Sequence, residues 1–156
     1  MRDIKFRGKI KNDPSYRPTD FGKGVWVVGL MGRRPCIDKI YAYKFYINTG
    51  EYEFEVDPDT VGQFTGLLDK NGKEIYEDDI VEWQQYGFTG QKTDTTIKGV
   101  VYFDTDCGAY GLNTGFVKDF TRLIIFYKKV DLGDIAVIGN IHDNKKLLKS
   151  TKLNKF

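Results

Sequence analysis

The sequence predicts a mainly β protein, on three observations. Val, Ile, Phe, Tyr and Trp together number 47, against 12 for Ala plus Leu, so strand-favouring side chains far outnumber the strongest helix formers. Short runs of alternating or continuous apolar character recur along the chain, bounded by Gly, Pro, Asn and Asp. At 156 residues, 40% of them hydrophobic and 29% charged, the chain is long enough for a packed core and too short for two large domains. Many short strands at this spacing point to a small barrel or sandwich.

The first strand is expected over Ile4 to Ile10, where Ile4, Phe6 and Ile10 alternate with Lys5, Arg7 and Lys9, placing the basic residues on its outer face. A loop with Pro14, Pro18, Gly22 and Gly24 precedes Val25 to Met31, which is apolar on both faces and reads as a central strand covered on each side. Ile37 to Ile47 is rich in aromatics. Asn48-Thr49-Gly50 then turns the chain into Tyr52, Phe54 and Val56, which alternate with Glu51, Glu53, Glu55 and Asp57 in a hairpin. Asp57-Pro58-Asp59 closes this section, because proline withdraws a ladder donor. The boundary between an N-terminal β subdomain, residues 1–57, and a second section, 58–156, is placed there.

The second section opens with Val61 to Leu68 and Asp69-Lys70-Asn71-Gly72, where Asn-Gly offers the two positive-φ positions of a tight hairpin turn. Ile80 to Trp83 is the next strand. Gln84 to Thr96 is polar, holds Gly87 and Gly90, lacks periodicity and reads as a long loop. Gly99 to Phe103, Ala109 to Leu112, Leu123 to Tyr127 and Ile135 to Ile141 complete the strands. Leu147, Leu148 and Leu153 among Lys145, Lys146, Lys149, Lys152 and Lys155 suit a short C-terminal helix.

The stretch Val61 to Trp83, VGQFTGLLDKNGKEIYEDDIVEW, resembles the YopX family of phage- and prophage-encoded proteins. Arg2-Asp3-Ile4-Lys5-Phe6-Arg7 at the start, and Val137-Ile138-Gly139-Asn140-Ile141 with Leu147 and Leu148 late in the chain, match the same family in the same order. Asp78 stands where the family pattern leads one to expect glycine, so the turn before Ile80 is a point of departure. The resemblance implies an SH3-like barrel in residues 58–156, with residues 1–57 as an N-terminal β-strand extension. It implies a phage or prophage accessory protein and assigns no reaction.

Charge is segmental: residues 1–50 carry a surplus of seven positive charges, 51–100 of eight negative and 101–156 of three positive. These halves could attract each other within the monomer or head to tail between copies. Cys36 and Cys107 are too few for a disulfide framework and read as cytosolic thiols. No apolar run approaches the roughly 20 residues of a membrane span, and the N-terminus lacks the apolar stretch of a secretory signal.

No cofactor fingerprint, phosphate loop or metal-ligand spacing is present, and no cofactor is expected. Glu74, Glu77, Asp78, Asp79 and Glu82 form an acidic group that could hold a hard cation, but it flanks a turn and a strand entry, where carboxylates cap backbone amides or face water. The lone histidine, His142, reads as a turn residue. Its potential nucleophiles would be Cys36, Cys107, Ser15 or Ser150, and Cys107 lies next to Asp106, which disfavours a thiolate.

A non-enzymatic binding protein is therefore the expectation. The first reading is a protein-interaction module for a host or phage protein, with Trp83, Tyr86, Phe88 and Lys92 around the Gln84 to Thr96 segment as the partner-binding set. Homo-oligomers formed by strand pairing accompany that reading. The alternative is a single-stranded nucleic-acid-binding accessory protein using Arg2, Lys5, Arg7, Lys145, Lys146 and Lys149.

Overall fold

The computed structural model describes residues 3–11, 22–36, 42–86, 91–106, 108–114 and 135–148, with only the backbone described for Gln85 and Tyr86. Its strands are β1 (Phe6–Lys9), β2 (Trp26–Pro35), β3 (Tyr43–Asn48), β4 (Glu53–Val56), β5 (Gly62–Leu68), β6 (Glu74–Tyr76), β7 (Asp79–Tyr86), β8 (Lys92–Asp104), β9 (Ala109–Asn113) and β10 (Ala136–Asn140). They form two antiparallel sheets, ordered β4-β3-β2-β1-β5-β6 and β10-β7-β8-β9, and no closed barrel forms among the described residues. The chain divides into two compact units, residues 1–64 and 65–156, so the 3-10 turn Pro58–Thr60 belongs to the first.

In the first unit, β1 pairs with β2 from Phe6↔Gly29 to Lys9↔Trp26, and with β5 on its other side at Phe6↔Gln63 and Arg7↔Gly62. The β3-β4 hairpin forms as expected, with Gly50 at φ 97 and its N–H donating to the Asn48 side-chain oxygen at 2.8 Å. Beyond Lys9 the chain reaches β4: Ile10 bridges Val56, Lys11 N–H donates to the Glu55 carbonyl, and Asp57 N–H donates to the Lys9 carbonyl. The four strands thus curl around Ile10, Val27, Ile47, Phe54 and Val56, all buried, with Phe6, Phe45, Tyr52 and Val61 packed against them. Alternation decides this core, since every second residue of β1 and β4 faces it.

The central strand departs from expectation. β2 is central, but it is ten residues long and outruns β1: Leu30 and Met31, beyond the β1 pairing, are exposed, as is Val28 opposite Arg7, rather than covered on both sides. Its far half pairs with β3, from Leu30↔Asn48 to Pro35↔Tyr43, while β4 reaches β3 only from Phe45 to Asn48. Among the described residues, Arg33–Pro35 and Tyr43–Lys44 therefore form the end of a two-stranded arm.

In the second unit, β7, β8 and β9 form a meander, and β10 lies against β7 with a bulge between Val137 and Gly139. The core is Ile75, Val81, Trp83, Val101, Tyr110, Leu112 and Ile135. Gly99 sits beneath Trp83, where a Cβ would come within 3.3 Å of the indole ring. The segment Gln84 to Thr96 is not a long loop: β7 runs to Tyr86 and β8 starts at Lys92, leaving 87–90 outside the described residues. The Gln84 side-chain amide donates to the carbonyls of Thr93 and Thr95. Backbone pairing and threonine-rich extended geometry carry this hairpin, which is why it has no apolar periodicity.

The β5-β6 turn is also built differently from expectation. Only Gly72 has positive φ, 79, whereas Asn71 does not. The Gly72 N–H donates to the Asp69 carbonyl and the Asp69 N–H to the Lys73 carbonyl, the pattern of a turn followed by a left-handed glycine bulge. The described part of the C-terminal tail is a 3-10 turn, Lys145–Leu148, and the rest of the expected helix lies outside the described residues. The predicted strand Leu123 to Tyr127 also lies outside them.

Candidate functional site

The outer face of the first unit concentrates cations on aromatic rings. Because side chains alternate along a strand, Lys5, Arg7 and Lys9 emerge on the face opposite Phe6, Gly8 and Ile10. The Lys5 ammonium lies 4.7 Å from the Phe64 ring centroid, and Arg7 and Lys9 lie 4.9 and 5.3 Å from that of Trp26. Each separation is within the range of a cation–π attraction. Asp3 pairs with Lys5 at 3.2 Å.

Farther along β2 the same chemistry recurs on both faces of the arm. Arg33 stacks over Tyr43 at 4.9 Å and Arg34 over Tyr46 at 5.0 Å. Arg34 also pairs with Glu53 at 2.5 Å, and Lys44 with Glu55 at 3.0 Å. The hydrogen bond and charge of Glu55 hold the Lys44 ammonium above its ordinary value. Among these charged groups, Leu30 is 65% exposed, Val28 42% and Met31 39%. The glutamates of β4 thus balance the cations at one side of the face, while the β1 row lies at the other.

Of the residues expected to bind a partner, Trp83 and Lys92 have described side chains, and these differ in environment. Trp83 is 8% exposed and packed into the core of the second unit, so its ring is not presented at a surface. Tyr86 ends β7 opposite Lys92, which is exposed at the start of β8, and Phe88 lies outside the described residues. Of the basic residues, Lys5, just before β1, and Arg7, within it, share one face, and Lys145 and Lys146 are exposed in the 3-10 turn of the second unit. Arg2 and Lys149 lie outside the described residues, as do Cys107, Ser15 and Ser150. Lys9 and Trp26 were missed as site residues. Lys9 was legible from the basic alternation, but Trp26 was hidden by the apolar run that reads as a covered strand.

The acidic group is dispersed over separate partners. Tyr76 donates its hydroxyl to Glu74 at 2.6 Å and its backbone N–H to the buried Asp79 carboxylate at 2.8 Å. Glu82 pairs with Lys98 at 3.7 Å, and Asp78 contacts His142 Nε2 at 3.0 Å. Among the described residues, no three His, Cys, Asp or Glu side chains come together to hold a metal ion.

Asp78 has φ 66, the one positive value outside glycine among the described residues. Its N–H donates to the Val101 carbonyl and its carbonyl accepts the Ile141 N–H. Asn140 Oδ1 accepts the N–H groups of His142 and Asp143, and Asn144 Oδ1 accepts that of Asn140. Gly139 leaves room for the Asn144 side chain, which would stand 2.5 Å from a Cβ there. This network orders the Gly139-to-Asn144 turn around Asp78, and its polar groups serve that turn's backbone.

Two antiparallel sheets, with polar side chains engaged in turns and one face on which cations lie over aromatic rings, define a mainly β protein. The YopX protein family matches over residues 30–149, and the chain belongs to that family. The matched span contains the Val61–Trp83 and Val137–Ile141 motifs, while Arg2 to Arg7 lies before it. A similar solved structure is that of protein EF1440 from Enterococcus faecalis, 19% identical, with a TM-score of 0.46, covering 96% of this chain and 100% of that one. No curated protein matches the chain. Among the described residues, no helix is long and apolar enough to cross a membrane.

Proposed function

We propose that this protein is a non-enzymatic interaction module, an accessory factor of a phage or prophage that acts in the cytoplasm of its bacterial host by docking a host or phage protein. The observation that carries this reading is the arm of β2 and β3, where Leu30 and Met31 are exposed beside Arg33, Arg34, Tyr43 and Tyr46. Tyrosine, arginine and methionine are enriched at protein interfaces, and tyrosine and arginine among the residues that carry most of the binding energy. Strand pairing between copies along this arm supports a homo-oligomer as well. The SH3-like reading of residues 58–156 draws support from the β7-β8-β9 meander with β10 returning beside β7.

Affinity purification of the tagged protein from nuclease-treated host lysate, compared with Leu30→Glu/Met31→Glu, tests the docking reading. A protein captured by the wild type and lost from the folded variant is the expected result. Equal capture by both moves the interface off the arm. Light scattering at low and high salt reads the oligomer directly, and a monomer at every concentration removes that part of the proposal.

A further inference from the structure

The β1 side of the first unit's outer face has the chemistry of a different ligand. Lys5, Arg7 and Lys9 stand in one row at alternate positions, so successive cations are about 6.7 Å apart along the strand, a spacing comparable to that of phosphates in an extended polynucleotide. Trp26 lies directly across from Lys9 in the β1-β2 register, and both Arg7 and Lys9 rest over its ring. Phe64 supports Lys5 from the β5 side and is buried, so it positions the ammonium rather than offering a ring face. Trp26, by contrast, is only half-buried.

We infer that this face binds single-stranded nucleic acid, with the sugar-phosphate backbone along β1 and a base stacked on Trp26. A phosphate draws Arg7 or Lys9 away from the indole, and the vacated ring face accepts a base in place of the cation, so one movement satisfies both groups. The sequence around the row supports a polyanion, since residues 1–50 carry seven more positive than negative charges. A carboxylate-rich peptide would use the cations but gain no stacking on the indole. A duplex keeps its base faces stacked inside and has none to offer. The row lies at the β1 side of the face, away from the far end of the arm at Arg33–Pro35, and Arg7→Gln/Lys9→Gln leaves Leu30 and Met31 in place, so this inference is tested apart from protein docking.

The test is fluorescence anisotropy of a labelled oligothymidylate of about 20 nucleotides with the full-length protein at ~50 and ~200 mM salt. Binding at the lower salt, weakening roughly tenfold or more at the higher salt and again by about tenfold in Arg7→Gln/Lys9→Gln, is the expected result. Intrinsic fluorescence separates stacking from charge: Trp26 and Trp83 are the chain's two tryptophans, and Trp83 is buried in the other unit. Quenching by the oligonucleotide should disappear in Trp26→Phe, a variant that keeps a ring on the sheet. Absence of binding at the lower salt, or unchanged affinity in the folded Arg7→Gln/Lys9→Gln variant, overturns the inference. So does displacement of the oligonucleotide by polyglutamate at equal charge, which would assign the face to acidic protein, and so does equal affinity for a duplex.

Discussion

Asp69, in the β5-β6 turn, accepts the backbone N–H of Val137 in β10 at 2.9 Å, across 68 positions of sequence. Its other carboxylate oxygen accepts the N–H groups of Asn71 at 2.7 Å and Lys73 at 2.9 Å. The Lys70 N–H adds a bond to the Ile135 carbonyl. One side chain, 6% exposed, therefore shapes a turn and fastens it to the last strand of the same unit. Replacing it with alanine leaves three backbone donors without their acceptor. Asp69→Ala should cost about 3 kcal/mol, measured by urea unfolding, because stranded buried donors carry their desolvation penalty.

The same carboxylate links stability to pH. Burial by itself raises its pKa, but the hydrogen bonds from Val137, Lys73 and Asn71 prevail and hold it below the ordinary value of 3.8. A carboxyl depressed on folding contributes stability that is fully present above its unfolded pKa and is lost as pH falls through its folded value. Asp69→Asn should therefore differ from the wild type most at neutral pH, with the gap narrowing below about pH 4. A gap that stays constant from neutral pH into that acid range contradicts this assignment.

Asp78 bears a backbone conformation that glycine adopts freely, and its side chain meets His142. Asp78→Gly relaxes the backbone while losing the contact, whereas Asp78→Ala keeps the strain and loses the contact as well. The glycine variant should be the more stable of the two by about 1 kcal/mol in thermal or chemical unfolding, the usual difference at a left-handed position. Equal stabilities would mean that the turn relaxes away from φ 66.

Gly29 and Gly32 lie three residues apart in β2 and should respond oppositely to alanine. A Cβ at Gly29 would run into the Asn48 carbonyl, whereas nothing stands within 4 Å of one at Gly32. Gly29→Ala should destabilise the protein by about 2 kcal/mol or more through backbone displacement, and Gly32→Ala should lie within about 0.5 kcal/mol of the wild type. Parallel unfolding curves for the two variants read this directly.

By itself the sequence determined the β class, the β3-β4 hairpin at Asn48-Thr49-Gly50, the outward row of Lys5, Arg7 and Lys9 and the family. These depend on side-chain alternation, turn chemistry and ordered motifs, all local to a few residues. Only the tertiary structure decided that β2 outruns β1 and exposes Leu30 and Met31, because an apolar run reports capacity for burial and not the length of the neighbouring strand. It likewise decided that Trp83 belongs to a core and Trp26 to a surface, since each ring's environment is set by strands distant in sequence. Asp69 shows the same division: Asp-Lys-Asn-Gly announces a turn, but its bond to Val137 exists only once folding brings residues 69 and 137 together.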